Sequence, residues 1–204
     1  MRPLGWLLLG AIALLVIEIA AAGVALMSAH GWSARAKPTQ PERWLARAAR
    51  RAAISRDAKA RTNPIPNTPA VLAEARAHWA DHCAVCHAND GSGEVPMGEH
   101  MYPPAPDMRA PLTQDLSDGE LFSIIENGVR LTGMPAWGGG AHGSEEDSWK
   151  LVHFIRHLPH LTTEEKLEME KLNPKGPEDR KEEEEEEKFL KGESAAEPQP
   201  QHHH

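Results

Sequence analysis

The two cysteines of the chain lie beside a histidine in the stretch DHCAVCHANDGSG. Cys83 and Cys86 are three positions apart, and His87 follows directly. Side chains of these types can form a structural disulfide, work as a thiol redox pair, bind zinc, or hold a haem covalently. A structural disulfide gives the neighbouring histidine no role. A thioredoxin-type pair needs a strand before the motif, which this sequence does not indicate.

A zinc site would have to recruit His78 and His82, because no second Cys or His pair with zinc-finger spacing follows downstream. The pattern C-x-x-C-H is typical of covalent haem attachment, in which the cysteines form two thioether bonds and the histidine binds the iron. The sequence therefore predicts one covalently bound haem c, held by Cys83, Cys86 and His87.

The second axial ligand is expected to be a methionine, because the His/Met pair raises the reduction potential of the iron. Four methionines lie near and after the motif, and these are Met97, Met101, Met108 and Met134. Met134 stands in the loop TGMPAW between two predicted helices, where Gly133 permits close approach of the backbone and Pro135 stiffens the turn. We expect Met134 to be the ligand, with Met101 as the substitute.

Helices must position these residues, and the sequence predicts where several of them begin and end. Thr68 and Pro69 are typical of a helix start, and this helix should run to the cysteine motif with Ala75 and Trp79 on its inner face. Residues 88–116 are rich in Gly and Pro and indicate a loop.

Three further helices are predicted after that loop. Ser117 and Glu120 form a capping box, and Gly128 closes that helix. The stretch SEEDSWKLVHFIRHLP predicts the last helix of the domain, with Ser144 and Asp147 at its start and Pro159 at its end. A short helix is expected to follow, capped by Thr162 and Glu165.

These motifs together resemble a class I c-type cytochrome domain over residues 69–160. The matching stretches are Trp79 four positions before Cys83, CAVCH, GSG, LSDGELFSIIENGV, TGMPAW and SWKLVHFIRHL. The domain is similar to those of bacterial respiratory chains and of haem-carrying subunits of haem–copper oxidases. The resemblance implies an all-α domain around one haem, with its first and last helices crossing where Ala75 stands in place of a frequent glycine.

The resemblance also implies roles for residues in the two loops. A proline carbonyl, from Pro103 or Pro104, should accept the N–H of the His87 imidazole and fix its tautomer. Tyr102, Arg109 and Trp137 are candidate donors to the haem propionates. The cofactor-binding set expected from sequence and resemblance is Cys83, Cys86, His87, Met134, Pro104, Tyr102, Arg109 and Trp137, with His87 and Met134 on the metal.

The N-terminal run from Leu4 to Met27 is apolar except for Glu18, and it predicts one transmembrane anchor over residues 4–28. Its 24 residues span about 36 Å as a helix, against roughly 30 Å for the hydrocarbon core. Ala11, Ala22 and Ala25 lie on the helical face of Glu18, which is typical of a helix packed on another helix. A protonated carboxyl that faces lipid is the alternative.

Residues 29–68 are expected to form a basic amphipathic helix at 42–61 and a Pro-rich spacer at 63–69. The helix suits an anionic lipid surface, and a solvated linker is the alternative. The cytochrome domain is assigned to 69–163. Residues 164–204 are expected to hold the short helix and then an acidic, disordered tail.

Charge divides the chain in the same way. Residues 1–68 carry 10 basic and 3 acidic side chains, residues 69–163 carry 5 and 13, and residues 164–204 carry 7 and 14. The sequence thus predicts interactions with lipid through 4–28 and 42–61 and with an integral membrane redox complex. It predicts no nucleic-acid partner and no small-molecule substrate.

An iron with both axial positions filled by protein favours electron transfer over catalysis. The first hypothesis is an electron carrier anchored in the bacterial inner membrane by a single pass, with its haem domain in the periplasm. A fixed subunit of a larger oxidoreductase is the second, and an enzyme or sensor in which Met134 leaves the iron is the third. The basic residues at 35–61 would favour the cytoplasm, whereas haem attachment in this family implies the outer side, and we give the haem motif precedence.

We expect residues 4–28 to remain in the mature protein, because the apolar run exceeds the roughly 7–15 residues of a signal-peptide core. Intact mass and N-terminal sequencing of membrane-extracted protein check this. A mature chain that begins after Ala29 would contradict it.

Overall fold

The structure is a computed structural model that describes residues 3–30, 33–139 and 145–191. All regular elements in these ranges are helical, which confirms the predicted all-α fold. The α-helices are α1 (Pro3–His30), α2 (Gln40–Ala53), α3 (Arg56–Ala60), α4 (Pro69–His78), α5 (Ala84–His87), α6 (Pro96–Glu99), α7 (Pro111–Gln114), α8 (Asp118–Asn127), α9 (Glu145–His157), α10 (Thr163–Leu172) and α11 (Pro177–Leu190). A π-helical turn at Trp79–Cys83 and a 3₁₀ turn at Leu158–His160 complete them.

Helix α1 contains the apolar stretch Gly5–Ala25, with a mean hydropathy of 2.5 and no part of it buried in the described structure. It is long and apolar enough to cross a membrane, a property that a signal sequence near an N-terminus shares. Glu18 and the alanines beside it are exposed in this chain.

The core forms where α4 packs on α9, the most extensive helix contact in the described part of the chain. Ala75 on α4 is 1% exposed, while Val152 and Phe154 on α9 are fully buried. Trp79 packs on Phe154 with ring centroids 5.5 Å apart. The predicted crossing of first and last helices at Ala75 is therefore present, and a small side chain there allows the close approach.

Local sequence signals account for the helix starts. Thr68 caps α4 with Pro69 at the first helical position, and the predicted capping boxes at Ser117–Glu120 and Thr162–Glu165 both form. These side chains bond N–H groups that have no partner within the helix. The predicted cap at Ser144 lies outside the described residues.

The basic segment differs from the single helix expected at 42–61. Helix α2 begins at a capping box between Thr39 and Glu42 and ends at Ala53. The break arises because the Ser55 hydroxyl accepts the Ala58 N–H and starts α3. The loop expected at 88–116 likewise contains two short helices, α6 and α7, each opened by a proline.

The spacer expected at 63–69 is packed onto the domain. Asn63 Nδ2 donates to the Trp149 carbonyl at 2.8 Å, and its Oδ1 accepts the Ile65 N–H at 3.0 Å. His153 Nε2 lies 2.7 Å from the Ile65 carbonyl. The Ile65 carbonyl is thus satisfied by His153 on α9 and the Ile65 N–H by Asn63, so the segment is packed against the domain.

The domain extends past the predicted boundary at 163. Met169 on α10 is 0% exposed and belongs to the main core. Glu165 lies 3.0 Å from both Arg76 Nη1 and His157 Nε2. Burial raises the pKa of Glu165, but bonds from Thr162 and His157 and the charges of His157 and Arg76 lower it overall. Helix α10 is thus a part of the domain that sequence reasoning had placed outside it.

The acidic segment beyond it is also helical in the structure from Pro177 to Leu190, which corrects the expectation of disorder there. Glu and Lys have high helix propensity, and Lys191 Nζ bonds Glu187 Oε1 at 2.5 Å one turn away. Residues 192–204 lie outside the described ranges.

We expect Met169→Ala to lower the free energy of unfolding by about 2–5 kcal/mol, since it removes a fully buried side chain. Leu167→Ala is the matched control, because Leu167 on the same helix is 53% exposed and should cost far less. Denaturant unfolding of the two variants decides the question. Equal, small losses would show that α10 is not part of the domain.

Candidate cofactor site

A cleft opens between the cysteine motif and the loop of Met134. About 310 Å³ of space in and around it is not filled by atoms, and part of this space is open to solvent. The lining residues are Trp79, Cys83, His87, Met108, Ile125, Met134, Trp137, Leu151 and Ile155. Apart from the imidazole of His87 and the indole of Trp137, the wall consists of aliphatic, aromatic and sulfur groups, which favours a flat apolar ligand.

Trp79 fixes the position of the motif. Its Nε1–H donates to the Ala88 carbonyl at 3.0 Å, directly after His87. Its ring lies 5.8 Å from the imidazole of His87. The π-helical turn that begins at Trp79 adds a residue to the helix just before Ala84, so the motif begins from a widened turn.

His87 enters the cleft from α5 and keeps one buried nitrogen without a partner. Its Nδ1 forms no hydrogen bond. The expected bond to the carbonyl of Pro103 or Pro104 is therefore not formed in this structure. Burial lowers the pKa of His87, which favours the neutral imidazole that binds a metal.

The two cysteines are free thiols and do not form a disulfide. Cys83 lines the cleft. Its burial and then the proximity of Cys86 raise the pKa of Cys83 to about 12, and burial also raises that of Cys86. Because a redox-active dithiol needs a lowered thiol pKa, this environment disfavours a thioredoxin-type role.

The zinc alternative lacks a ligand set in the described part of the chain. His78 and His82 lie near each other, with ring centroids 4.9 Å apart. Among the described residues, however, no group of three or more His, Cys, Asp or Glu side chains could hold a metal ion. The covalent-haem interpretation is the one that uses all three motif residues.

Met134 is held by its own loop. Its N–H donates to Thr132 Oγ1 at 3.1 Å, and its carbonyl accepts the Val129 N–H at 3.1 Å. Gly128 ends α8 with φ of +64°, and a Cβ there would lie 2.7 Å from the Met134 carbonyl oxygen. Only glycine allows this backbone approach without strain, so the loop presents the Met134 side chain to the cleft.

A second methionine, Met108, also lines the cleft. Its N–H donates to the Gly91 carbonyl at 2.8 Å, and its carbonyl accepts from Gln114 Nε2 at 2.7 Å. Met101, the substitute expected from sequence, is not among the lining residues and packs instead against Gly133. Met108, and not Met101, is therefore the second methionine in the lining of this cleft.

The candidate propionate donors separate in the structure. Trp137 lines the cleft and meets His82 edge to face at 5.7 Å. Arg109 is bonded to Asp90 at 2.6 Å and to Asp107 at 2.9 Å and is not part of the lining. Tyr102 is 40% exposed and donates to Glu42 Oε1 at 3.1 Å, and neither Tyr102 nor Pro104 lines the cleft.

Three aliphatic residues were missed by sequence reasoning. Ile125 comes from α8, while Leu151 and Ile155 lie one turn apart on α9. The four-residue spacing of Leu151 and Ile155 is the signal that marks one helical face. They form the aliphatic part of the wall.

The side chains that line the cleft are of the types that bind a haem. The cleft is apolar and carries an imidazole with a buried, unpaired nitrogen, a thiol in the wall and a fixed thioether sulfur. Imidazole and thioether are a ligand pair for haem iron. The thiols of Cys83 and Cys86 are at the attachment spacing.

Comparison with protein families gives one match, over residues 70–155, to the family described as cytochrome C oxidase, cbb3-type, subunit III. This stretch holds α4 to α9, and with them the whole cleft. It is a class I c-type cytochrome domain. The search of curated proteins found no match.

We expect Met134→Ala to convert the low-spin ferric spectrum of the purified protein to a high-spin one and to remove the methionine-to-iron charge-transfer band. The reason is that the substitution removes the sulfur. Met101→Ala is the control and should leave the spectrum unchanged, because Met101 does not line the cleft. A Met134→Ala protein that remains low-spin until Met108 is also replaced would assign the ligand to Met108.

Proposed function

Since residues 70–155 are a class I c-type cytochrome domain, we propose that this protein carries single electrons between membrane redox partners. In this proposal Cys83 and Cys86 would hold one haem c covalently, and His87 and Met134 would bind its iron. The observation that carries it is the single apolar cleft wall that contains Cys83, His87 and Met134 together. When bound, the haem supplies a reversible one-electron Fe(III)/Fe(II) couple.

The chain's own residues restrict the chemistry to electron transfer. If His87 and Met134 both bound the iron, they would leave no coordination position for a substrate or for oxygen. The aliphatic wall of Ile125, Leu151 and Ile155 excludes water and lowers the local dielectric, which raises the cost of the more charged ferric state. Both effects favour a carrier that changes charge with little rearrangement.

The membrane location rests on α1. We propose that it spans the inner membrane of a bacterium once and leaves the cytochrome domain in the periplasm. An anchor restricts the domain to the membrane plane and raises its effective concentration near integral partners. The electron donor and acceptor are accordingly proposed to be respiratory or photosynthetic complexes of the same membrane.

A fixed subunit of a larger oxidoreductase is the second candidate. The matched family is described as a subunit of an oxidase, and the exposed face around Glu18 suits another transmembrane helix. Purification in mild detergent separates the two candidates. A stoichiometric complex supports the subunit, and a monomeric anchored cytochrome supports the carrier.

We expect electron transfer to the partner to slow as salt rises, because residues 69–163 carry 13 acidic and 5 basic side chains and should meet a basic surface. Attraction of this kind accelerates encounter and is screened over about 8 Å at physiological ionic strength. Stopped-flow rates against ionic strength check it. Rates independent of salt would show that the acidic domain does not dock through charge.

A chain truncated after Asn173 measures the contribution of α11 to that docking. The truncation keeps α10 with Met169 but removes an exposed helix that contains six consecutive glutamates, Glu182–Glu187. A weaker dependence of the electron-transfer rate on ionic strength in the truncated chain would show that α11 extends the docking surface. Equal slopes would make it a spacer.

A further inference from the structure

Helix α2 has no buried residue, although it lies between the apolar α1 and the cytochrome domain. Trp44 is 71% and Leu45 63% exposed. At about 100° per residue, Trp44, Ala48, Ala52 and Leu45 fall within one arc of about 100°. The described chain leaves this apolar face uncovered, and its exposed tryptophan is a costly group to leave in water.

Arginines occupy the neighbouring arc of α2. They are Arg43, Arg47 and Arg51, whereas Arg50 lies about 120° from Trp44, towards the domain. A narrow apolar face with an exposed tryptophan beside a row of arginines complements a lipid surface with anionic headgroups. The position agrees, since α2 begins 10 residues after α1 ends at His30.

The opposite side of α2 is attached to the cytochrome domain. Glu42 lies about 160° around the helix from Trp44, and it accepts a hydrogen bond from the Tyr102 hydroxyl at 3.1 Å. Arg50 is half-buried and feels the charge of Glu120 on α8. The face of Trp44 therefore points away from the domain.

Lys59 joins α2 to α8 through two different atoms. Its Nζ donates to the Arg51 carbonyl at 2.5 Å in the last turn of α2. Its backbone carbonyl accepts from Ser117 Oγ at 2.8 Å at the start of α8. Gly119 makes this approach possible, because a Cβ there would collide with the Ala58 carbonyl oxygen.

Arg61, two residues after Lys59, adds contacts to the domain. Its guanidinium lies 4.3 Å from the ring centre of Phe122 and 5.2 Å from that of Trp149. These two rings are stacked, with centroids 4.1 Å apart. Such cation–π contacts add to the hydrogen bonds of Asn63. The segment from α2 to α4 is therefore fixed to α8 and α9 along its length.

We propose that α2 lies on anionic lipid through the face of Trp44 and Leu45, and that the strap of residues 55–66 holds the cytochrome domain in one orientation above that surface. The protein is then an oriented electron donor or acceptor, and the partner it fits is embedded in the same membrane. The proposal rests on the proposed haem c and the anchor, and it adds the lipid-contacting face and the coupling element.

The first experiment locates the lipid contact with the full-length holoprotein in nanodiscs. Ala48→Cys and Ala46→Cys are labelled with an environment-sensitive fluorophore, in neutral and in anionic lipid. Both alanines are exposed on α2, and they lie about 160° apart. Position 48 should show a blue shift and quenching by lipid-borne quenchers in anionic nanodiscs, and position 46 should show neither.

Two outcomes of this experiment overturn the lipid face. One is equal behaviour at positions 46 and 48, and the other is a label at 48 that responds only when a purified redox complex is added. The double change Arg47→Glu, Arg51→Glu should abolish the shift at 48, whereas Lys181→Glu, Lys188→Glu on exposed α11 should not. Loss in both charge variants would indicate a general charge effect and contradict the proposal.

The second experiment measures orientation. Low-spin ferric EPR spectra of the holoprotein in oriented multilayers should change strongly with the angle between field and membrane. Arg61→Ala and Lys59→Met should each weaken the dependence of the spectrum on this angle. Arg56→Ala, on α3 with Lys59, should not. An isotropic wild type would overturn the oriented domain.

Failure of the proposed function has a different signature. Without covalent haem, the EPR signal of low-spin iron is missing and the fluorophore also reacts with Cys83 and Cys86. With haem present, a single labelled site and a normal EPR signal show that any negative result concerns the orientation alone.

Discussion

Trp79 is buried at the end of α4, between the ring of Phe154 on α9 and the imidazole of His87. Its indole N–H bonds the backbone directly after the cysteine motif. One side chain thus ties the helix crossing that forms the core to the residues that form the cleft. Replacing such a buried aromatic by alanine costs about 3–5 kcal/mol, and here it would also release the motif.

The opposite wall of the cleft depends on the same core. Helix α9 presents Val152 and Phe154 to α4, while Leu151 and Ile155 line the cleft. Arg156 bonds the carbonyls of Gln114 and Leu116 and so holds the segment between Met108 and α8. Met108 and Met134 reach the cleft from loops, and the backbone N–H and carbonyl of each are hydrogen-bonded, so both side chains have a defined position.

Sequence reasoning recovered what short motifs encode. The capping residues Thr68, Ser117 and Thr162 act through neighbours three positions away, and so they could be read from the sequence. It also identified the helix crossing at Ala75 through the family resemblance. The assignment of the ligands His87 and Met134 stays a prediction, and the cleft that contains both of them supports it.

Contacts between distant residues could not be predicted from the sequence. Met169 packs into the core, and Asn63 bonds the Trp149 carbonyl on α9. No local sequence pattern predicts either contact. Met108 lines the cleft and Met101 does not, because the packing of the loops decides which methionine reaches it. Tyr102 bonds Glu42 because α2 lies beside it. The polarity and charge of residues 63–69 do not distinguish a free linker from a segment that packs on the domain.

The proposal depends first on a covalent bond between one haem and the thiols of Cys83 and Cys86, in the cleft that His87 and Met134 line. Denaturing intact-mass analysis of the purified full chain, with a pyridine haemochrome spectrum of the same sample, tests it most directly. We expect a chain that retains the mass of one haem after denaturation, with the spectrum of a haem bearing two thioether bonds. A chain with the mass of the polypeptide alone, or a haem extracted by acidic organic solvent, would contradict it.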